Sequence, residues 1–210
     1  MLALLLADDF FFAAQDEVSG KSRLGDRALG LGLAGSLLCE LVISGRITVA
    51  KGRLSVVDRT LPEDLAGQAI LEEMIREHEV TVVRDWLRYL SRTTFELVAR
   101  RLLAAGHVRA TAAGRIRRTV VYRPVNMNTA AWPLARLALR ATRREQLELT
   151  DVVLAGLLAA TGLDRTLLEG VPADGREHLM GAVPRLPPSL RALVAETEAA
   201  IGDAVLRHRK

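Results

Sequence analysis

The residues of this sequence with the clearest chemical potential are arginines in a long run that contains no acidic residue. Residues 97–144 carry 11 arginines and neither Asp nor Glu. The guanidinium group matches phosphate oxygens with two parallel hydrogen bonds, so Arg-rich surfaces are typical of phosphate recognition. The rest of the chain holds 18 basic residues against 25 acidic ones. This arginine run predicts a polyanion-binding surface or, alternatively, a set of ion pairs with acidic segments elsewhere in the chain.

Three arginines of the run lie on or beside a predicted β-hairpin. Because side chains alternate along a strand, Arg115 and Arg117 are expected on one face and Arg118 on the other. We predict that these three side chains belong to the anion-binding surface.

Residues typical of catalytic or metal sites are scattered. The histidines lie in separate segments and lack zinc-binding spacing; they are His78, His107, His178 and His208. Cys39, the single cysteine, lies in an apolar helix and is interpreted as a small buried hydrophobic residue. Asp8 and Asp9 are adjacent and point differently on a helix, so they do not form an acid/base pair. The sequence predicts a non-enzymatic protein with no metal or other cofactor.

Length and composition favour one domain that spans residues 1–210. A chain of this length is too short to make two ordinary domains the default. Half of the residues are hydrophobic but only 4% are aromatic, and Leu, Ala and Arg dominate, which favours helices. One cysteine provides no disulfide framework, which is typical of a protein in a reducing cytoplasm.

The hydrophobic segments do not predict a membrane-spanning protein. Residues 1–6 are apolar, but they lack a basic leader and are soon followed by Asp8 and Asp9, so they fail as a signal peptide. No run of about 18 uninterrupted apolar residues occurs, which excludes a spanning helix. Membrane contact is therefore expected to be peripheral, from the cytoplasmic side.

The spacing of apolar residues predicts a mainly α, compact helical domain with one or two small β-hairpins. Leu33, Leu37 and Leu41 recur at helical spacing, and Trp86, Leu87 and Leu90 share another helical face; both faces are expected to be buried. Residues 46–57 alternate around a Lys-Gly turn, as in a hairpin. A helix, a glycine and a second hairpin at residues 108–122 repeat this arrangement.

The last third of the chain is expected to be purely helical. A helix capped by Asn128 or Thr129 reaches Glu148, with Pro133 in its first turn. Ser189 is predicted to cap an amphipathic terminal helix.

Several segments, in the same order along nearly the whole chain, resemble the Golgi phosphoprotein 3 family. They are LLLAD (4–8), GLAG (32–35), LCEL (38–41), SGRI (44–47), VRDWLRYLS (83–91) and RLLAAGHV (101–108). The resemblance implies a helical core with small hairpins and binding of phosphatidylinositol 4-phosphate at a membrane surface. In eukaryotic members it also implies adaptor work on glycosyltransferase tails.

The lipid-site residues of the family carry over only in part. The family's Trp and its first Arg correspond to Gly25 and Ala34 here, and Arg92 falls near one of two later arginines. The resemblance therefore implies affinity for anionic lipids in general. We predict a non-catalytic, peripheral membrane protein that binds anionic phospholipid head groups, phosphatidylinositol 4-phosphate-like by resemblance. The binding residues are predicted to be Arg92, Arg115, Arg117 and Arg118.

Two other classes of function stay open at this point. A helix, a glycine and an Arg-bearing hairpin also match a winged helix that binds nucleic acid, with Arg100 and Arg101 as base readers. The third class is a scaffold that binds other proteins, or a second copy of itself, through the amphipathic terminal helix.

Overall fold

A computed structural model describes residues 4–16, 19–113 and 119–207, and these form a mainly α fold with two small hairpins. The helices are α1 (Leu6–Ala13), α2 (Asp26–Ile43), α3 (Leu65–Arg76), α4 (Val83–Leu90), α5 (Thr94–Ala104), α6 (Met127–Arg143), α7 (Leu149–Ala160), α8 (Asp164–Leu167), α9 (Ala173–Met180) and α10 (Pro188–Arg207). The strands are β1 (Ile47–Ala50), β2 (Arg53–Val56), β3 (Val108–Ala113) and β4 (Thr119–Pro124), and Val183–Arg185 forms a 3₁₀ turn. The fold class expected from the sequence is confirmed.

Helices α1 and α2 pack together at the centre of the core. Every residue of α1 is buried, and the expected face of α2 with Leu33, Leu37 and Leu41 is buried as well. At Gly32 of α2, a Cβ atom would lie 2.3 Å from the ring of Phe10. This close approach explains a glycine within a helix, where it otherwise costs about 1 kcal/mol relative to alanine.

Each hairpin forms its own two-stranded antiparallel sheet. The β1–β2 turn has positive φ at Lys51 (52°) and Gly52 (70°), which is the backbone of a tight hairpin turn. In the second hairpin, β3 pairs with β4 from Val108 opposite Pro124 to Ala113 opposite Thr119. Both hairpins lie where the alternation placed them, although β4 continues two residues beyond the expected end.

Three expectations for the last third of the chain are wrong. Helix α6 ends at Arg143 and does not reach Glu148, because Arg144 adopts a left-handed conformation with φ of 51°. Asn126 caps α6, accepting hydrogen bonds from two backbone amides, so Pro133 lies in the second turn and leaves one intrahelical hydrogen bond unmade. Ser189 does not cap α10, which begins at Pro188. Its hydroxyl instead accepts from the Val49 amide at 3.1 Å and donates to the Val49 carbonyl at 3.0 Å, which joins α10 to β1.

Helix α10 packs on α2, α4, α7 and β1. Leu190, Leu193 and Val194 are buried there, and so are Trp86 and Leu87 on the expected face of α4. Because the apolar face of α10 is occupied within the chain, a protein-binding scaffold that uses this face is not supported. In the part of the chain that the structure describes, no helix is both long and apolar enough to cross a bilayer.

Candidate functional site

Arg101 of α5 lies at the centre of a buried cluster of carboxylates. Its side chain is only 9% exposed. It donates to Asp8 at 2.9 Å, to Glu40 at 2.8 Å and to Asp64 at 3.0 Å. These acids come from α1, α2 and the N-cap of α3, so one guanidinium joins four helices. Three carboxylates face one cation, which leaves an excess of negative charge.

A second cluster of ion pairs joins α1, α6 and α7. Arg136 donates to Asp9 at 2.7 Å and to Asp151 at 2.8 Å. Arg140 pairs with Asp151 and, at 2.6 Å, with Glu148. Asp151 is fully buried, and the buried Oδ1 of Asp9 has no hydrogen-bond partner among the described residues.

Burial shifts the pKa values of these groups. It raises the pKa of Asp9 from 3.8 to about 6, against the opposing effects of the hydrogen bond and the charge of Arg136. Burial also outweighs the attraction of Arg101 and raises the pKa of Asp8 and of Glu40. Burial disfavours the charge of Arg101, but Glu40 and Asp8 together raise its pKa above the ordinary value. Burial therefore favours the neutral, protonated form of these three carboxyl groups more than an exposed site would.

A cavity of about 740 Å³ opens beside Asp9, a size typical of small-molecule sites. Its wall combines apolar and acidic side chains, among them Leu6, Ile43, Trp132, Asp9, Glu40 and Glu148. We call it the acidic cavity. Residues 4–16, 19–113 and 119–207 contain no group of three or more His, Cys, Asp or Glu side chains that could hold a metal ion.

The arginines of the run that form ion pairs fall into two groups, those in the buried clusters and those nearer the surface. Arg101, Arg136 and Arg140 serve the buried clusters, so the expectation of an anion-binding surface is wrong for these three. The alternative, ion pairs with distant acidic segments, is correct for them. Three exposed arginines of the run also pair with acids nearer the surface: Arg100 with Glu96, Arg143 with Glu145 and Arg144 with Asp174.

Some of the cations that are exposed, with neither an ion pair nor a side-chain hydrogen bond within the described ranges, lie on segments that pack against one another around the N-terminal end of α2, and we call these the basic face. They are Lys21, Arg27, Arg92, Arg109 and Arg123. Arg92 lies in the loop 91–93, which packs against the first turns of α2. A Cβ atom at Gly30 would lie 2.2 Å from the Ser91 carbonyl oxygen, and Thr94 donates to the Gly30 carbonyl at 3.0 Å. These contacts bring Arg92 to the end of α2 that carries Arg27.

The second hairpin joins this face from the other side. Tyr122 of β4 donates to the Glu96 carboxylate at 3.0 Å, and its ring lies 5.9 Å from that of Phe95. Both partners belong to the first turn of α5, directly after the loop 91–93. A Cβ atom at Gly20 would lie within 3.3 Å of Val121 and Arg123, which places Lys21 against the same hairpin.

Arg109 and Arg123 stand directly opposite each other in the β3–β4 register. Like charges at opposed positions of a sheet are destabilising. An arrangement with this cost favours an anion between the two guanidinium groups. The N-cap residues of α2 and α5, Gly25 and Thr93, make no side-chain capping hydrogen bond, and the first turns of the two helices carry the acidic residues Asp26 and Glu96.

The structure describes one of the four predicted site residues. Arg115, Arg117 and Arg118 lie outside the described residues, in the segment that connects β3 to β4. Arg92 is exposed on the basic face. At the two positions where the family has Trp and Arg, Gly25 lies at the exposed N-cap of α2, whereas Ala34 is fully buried.

Sequence reasoning missed most of the basic face and all of the acidic cavity. Aligning the two strands of the second hairpin around their turn would have placed Arg109 opposite Arg123. Lys21 and Arg27 lie outside the arginine run and gave no signal of their own. Asp9 was visible as a carboxylate in an apolar helix, which alone points to a buried charge.

The winged-helix alternative loses part of its basis. Arg101, one of its two base readers, is 9% exposed and bound to three carboxylates. Arg100 is exposed, but it pairs with Glu96 on its own helix.

Comparison with known proteins identifies the family. The model of the Golgi phosphoprotein 3 (GPP34) family matches residues 6–205, nearly the whole chain. A comparison with curated protein sequences gives no significant match. The match runs from the first residue of α1 to near the end of α10, so it includes both the basic face and the acidic cavity. The chain therefore belongs to the Golgi phosphoprotein 3 family.

Proposed function

We propose that this protein associates with membrane surfaces by binding the anionic head groups of phospholipids through its basic face, and that it acts without catalysis. The observation that carries the proposal is the gathering of Lys21, Arg27, Arg92, Arg109 and Arg123 on segments that pack against one another. Each is exposed and has no carboxylate partner within the described ranges. Membership of the Golgi phosphoprotein 3 family supports a phosphoinositide-like ligand.

The hairpin extends the proposed surface. Arg115, Arg117 and Arg118 connect β3 to β4, the strands that carry Arg109 and Arg123. We therefore keep them, with Arg92, as proposed ligands of lipid phosphate. Each Arg near an anionic membrane contributes about 1 kcal/mol, so affinity is set by the number of arginines that reach the surface.

Selectivity among anionic head groups is expected to be weak. The family's lipid site uses a Trp and an Arg that correspond to Gly25 and Ala34 in this chain. A Cβ atom at Gly25 would meet no described atom within 4 Å, and glycine itself offers no side chain to contact a head group there. The remaining cations attract any phosphate-bearing lipid.

Co-sedimentation with liposomes tests the proposal. Vesicles contain phosphatidylcholine alone, or with phosphatidylserine or phosphatidylinositol 4-phosphate. The basic-face variant replaces four arginines by Ser: Arg27, Arg92, Arg109 and Arg123. We expect it to lose about 4 kcal/mol of binding free energy, roughly a thousandfold in affinity. A second variant replaces Arg92, Arg115, Arg117 and Arg118 by Ser, and we expect it to lose binding while the fold stays intact.

The matched control removes the same number of charges elsewhere. It replaces Arg59, Arg165, Arg176 and Arg185 by Ser, all exposed and outside the basic face. We expect this control to bind like the parent protein, and binding of the parent to weaken steeply with salt. Full liposome binding by both the basic-face variant and the second variant would contradict the proposal. So would tight, sequence-dependent binding to duplex DNA without any binding to liposomes.

A further inference from the structure

The wall of the acidic cavity holds a histidine whose ring has no hydrogen-bond partner. His107 lines the cavity and is only 8% exposed. Its backbone is fixed, because its amide donates to the Leu102 carbonyl at 2.9 Å and its carbonyl accepts from the Val125 amide at 2.9 Å. Neither ring nitrogen has a hydrogen-bond partner among the described residues, and both keep some solvent-accessible surface, unlike Asp9 Oδ1. A group bound in the cavity can therefore reach this ring.

The unpaired polar groups on the wall match a hydroxyl group. In its neutral form, the imidazole of His107 offers one N–H donor and one nitrogen acceptor. Buried polar groups are almost always hydrogen-bonded, so a ring this deeply buried calls for a partner. The hydroxyl groups of Thr129 and Thr150 lie on the same wall and also lack a partner among the described residues. A ligand hydroxyl both donates and accepts, so it can bind to either ring nitrogen or to these side chains.

The charged groups on the wall are already paired. Each of the three carboxylates that the structure describes there forms an ion pair with an arginine. The pairs are Asp9 with Arg136, Glu40 with Arg101 and Glu148 with Arg140. Arg136 also lines the cavity, but it is held by both Asp9 and Asp151. A charged ligand would therefore lose its hydration without gaining an unpaired partner of opposite sign that it can reach.

The remaining wall of the cavity is apolar and partly open. Leu5 and Ile43 are each 41% exposed and Trp132 is 52% exposed, although all three side chains are large and hydrophobic. Covering such surface is favourable roughly in proportion to the apolar area that is removed from water. The wall therefore fits a ligand that is mostly apolar.

We propose that the acidic cavity binds a small, uncharged and largely apolar molecule that carries a hydroxyl group. The hydroxyl forms a hydrogen bond with the ring of His107, and the apolar body covers Leu5, Ile43 and Trp132. This site lies at the opposite end of α2 from the basic face. It does not depend on the proposed membrane function.

Isothermal titration calorimetry at neutral pH with three probes of similar shape tests the class of ligand. The probes are 4-phenylbutan-1-ol, 4-phenylbutylamine and 4-phenylbutyrate, which carry a neutral, a cationic and an anionic head. We expect the alcohol to bind about tenfold tighter than either charged probe, because a charge loses hydration that this wall does not replace. No binding by the alcohol, or equal or tighter binding by a charged probe, would overturn the proposal.

A variant of His107 tests the hydrogen bond itself. His107→Phe keeps an aromatic ring and removes both ring nitrogens. It should weaken binding of the alcohol about fivefold, because a neutral hydrogen bond is lost, and should leave binding of butylbenzene, which has no polar group, unchanged. His78→Phe makes the same change at an exposed histidine outside the cavity and should bind the alcohol like the parent. If His107→Phe binds the alcohol as tightly as the parent, or loses as much affinity for butylbenzene, the proposal fails.

A second variant tests the cavity without altering a buried side chain. Ser44 lies at the exposed end of α2 and lines the cavity, so Ser44→Phe should block binding of the alcohol. Val57→Phe, at an exposed site away from the cavity, is the matched control and should bind the alcohol like the parent. Ser44→Phe should also bind anionic liposomes normally, so failure here is distinguishable from failure of the membrane proposal. Full binding of the alcohol by Ser44→Phe would move the site elsewhere and overturn the assignment.

Discussion

The two ends of α2 handle charge in opposite ways. At its N-terminal end, the cations of the basic face are exposed and have no ion-pair partner among the residues that the structure describes, with Arg27 on the helix and Arg92 beside it. At its C-terminal end, Glu40 joins a buried cluster in which carboxylates outnumber arginines. The helix has 18 residues, so roughly 25 Å separate the two regions. The first region is solvated and free to meet a ligand, whereas the second is built into the core.

The difference shows that a charged run in a sequence is not yet a charged surface. Arg101 and Arg136 belong to the same acid-free run as Arg109 and Arg123, yet the first two are bound to buried acids. Burying a guanidinium is tolerated only when carboxylates accompany it. Within the run, the described arginines that have no ion pair, Arg109 and Arg123, lie on the strands of the second hairpin.

The largest effect on stability is expected from removing Arg101, the central cation of the buried cluster at the C-terminal end of α2. Arg101→Ala leaves the carboxylates of Asp8, Glu40 and Asp64 buried without their cation, which should cost about 3 to 5 kcal/mol of the free energy of unfolding. Urea unfolding monitored by circular dichroism measures this loss. The neighbouring change Arg100→Ala is the control, since Arg100 is 73% exposed and only pairs with Glu96. It should change stability by about half a kcal/mol or less. Equal losses for the two variants would show that the cluster is not structural.

The elements of the fold were predictable because their signals are local. Hydrophobic spacing places α2 and α4, and the turn at Lys51 and Gly52 follows from its residues alone. The ion-pair clusters were not predictable, because their partners are distant in sequence. Arg101 and Asp8 are 93 positions apart, and Arg136 and Asp9 are 127 apart. Pairing at such separations depends on how the helices pack, which no local pattern contains.

The sequence interpretation of Asp8 and Asp9 nonetheless agrees with the structure. Adjacent residues on a helix point in different directions, and the two carboxylates join different clusters. Asp8 faces Arg101, whereas Asp9 faces Arg136 and the acidic cavity. The sequence did not indicate that both carboxylates are buried.

A smaller effect is expected in the pH dependence of stability that arises from the buried carboxyl group of Asp9. In the folded protein the pKa of Asp9 is about 6, above the usual 3.8 of an unfolded chain. The folded state therefore holds this proton more tightly, and stability falls as pH rises from about 4 to about 6. Asp9→Asn carries no such proton, so relative to the parent it should gain up to about 3 kcal/mol over this range. Urea unfolding of both proteins at several pH values measures the difference.

The control for this prediction has the opposite sign. The side chain of Asp58 is 42% exposed, and its pKa is lowered by hydrogen bonds from Thr60 and by the charge of Arg46. It contributes stability at higher pH that is lost as pH falls through its pKa in the folded protein. As pH rises, Asp58→Asn should therefore become less stable relative to the parent. Parallel pH profiles for Asp9→Asn and the parent would show that burial does not hold the Asp9 proton.

The smallest effect is expected at the basic end, and its sign is diagnostic. Arg109 and Arg123 face each other across β3 and β4, so Arg109→Thr removes a repulsion and should stabilise the protein by about half a kcal/mol. Removal of a purely structural arginine would destabilise the protein, as is expected for Arg101→Ala. Pyrophosphate should reverse the order, because an anion between two guanidinium groups stabilises the parent more than the variant. Thermal unfolding of both proteins with and without pyrophosphate, at constant ionic strength, measures the two shifts. If Arg109→Thr is destabilising and pyrophosphate raises both melting temperatures equally, Arg109 belongs to the scaffold and the contrast between the two ends of α2 fails at that position.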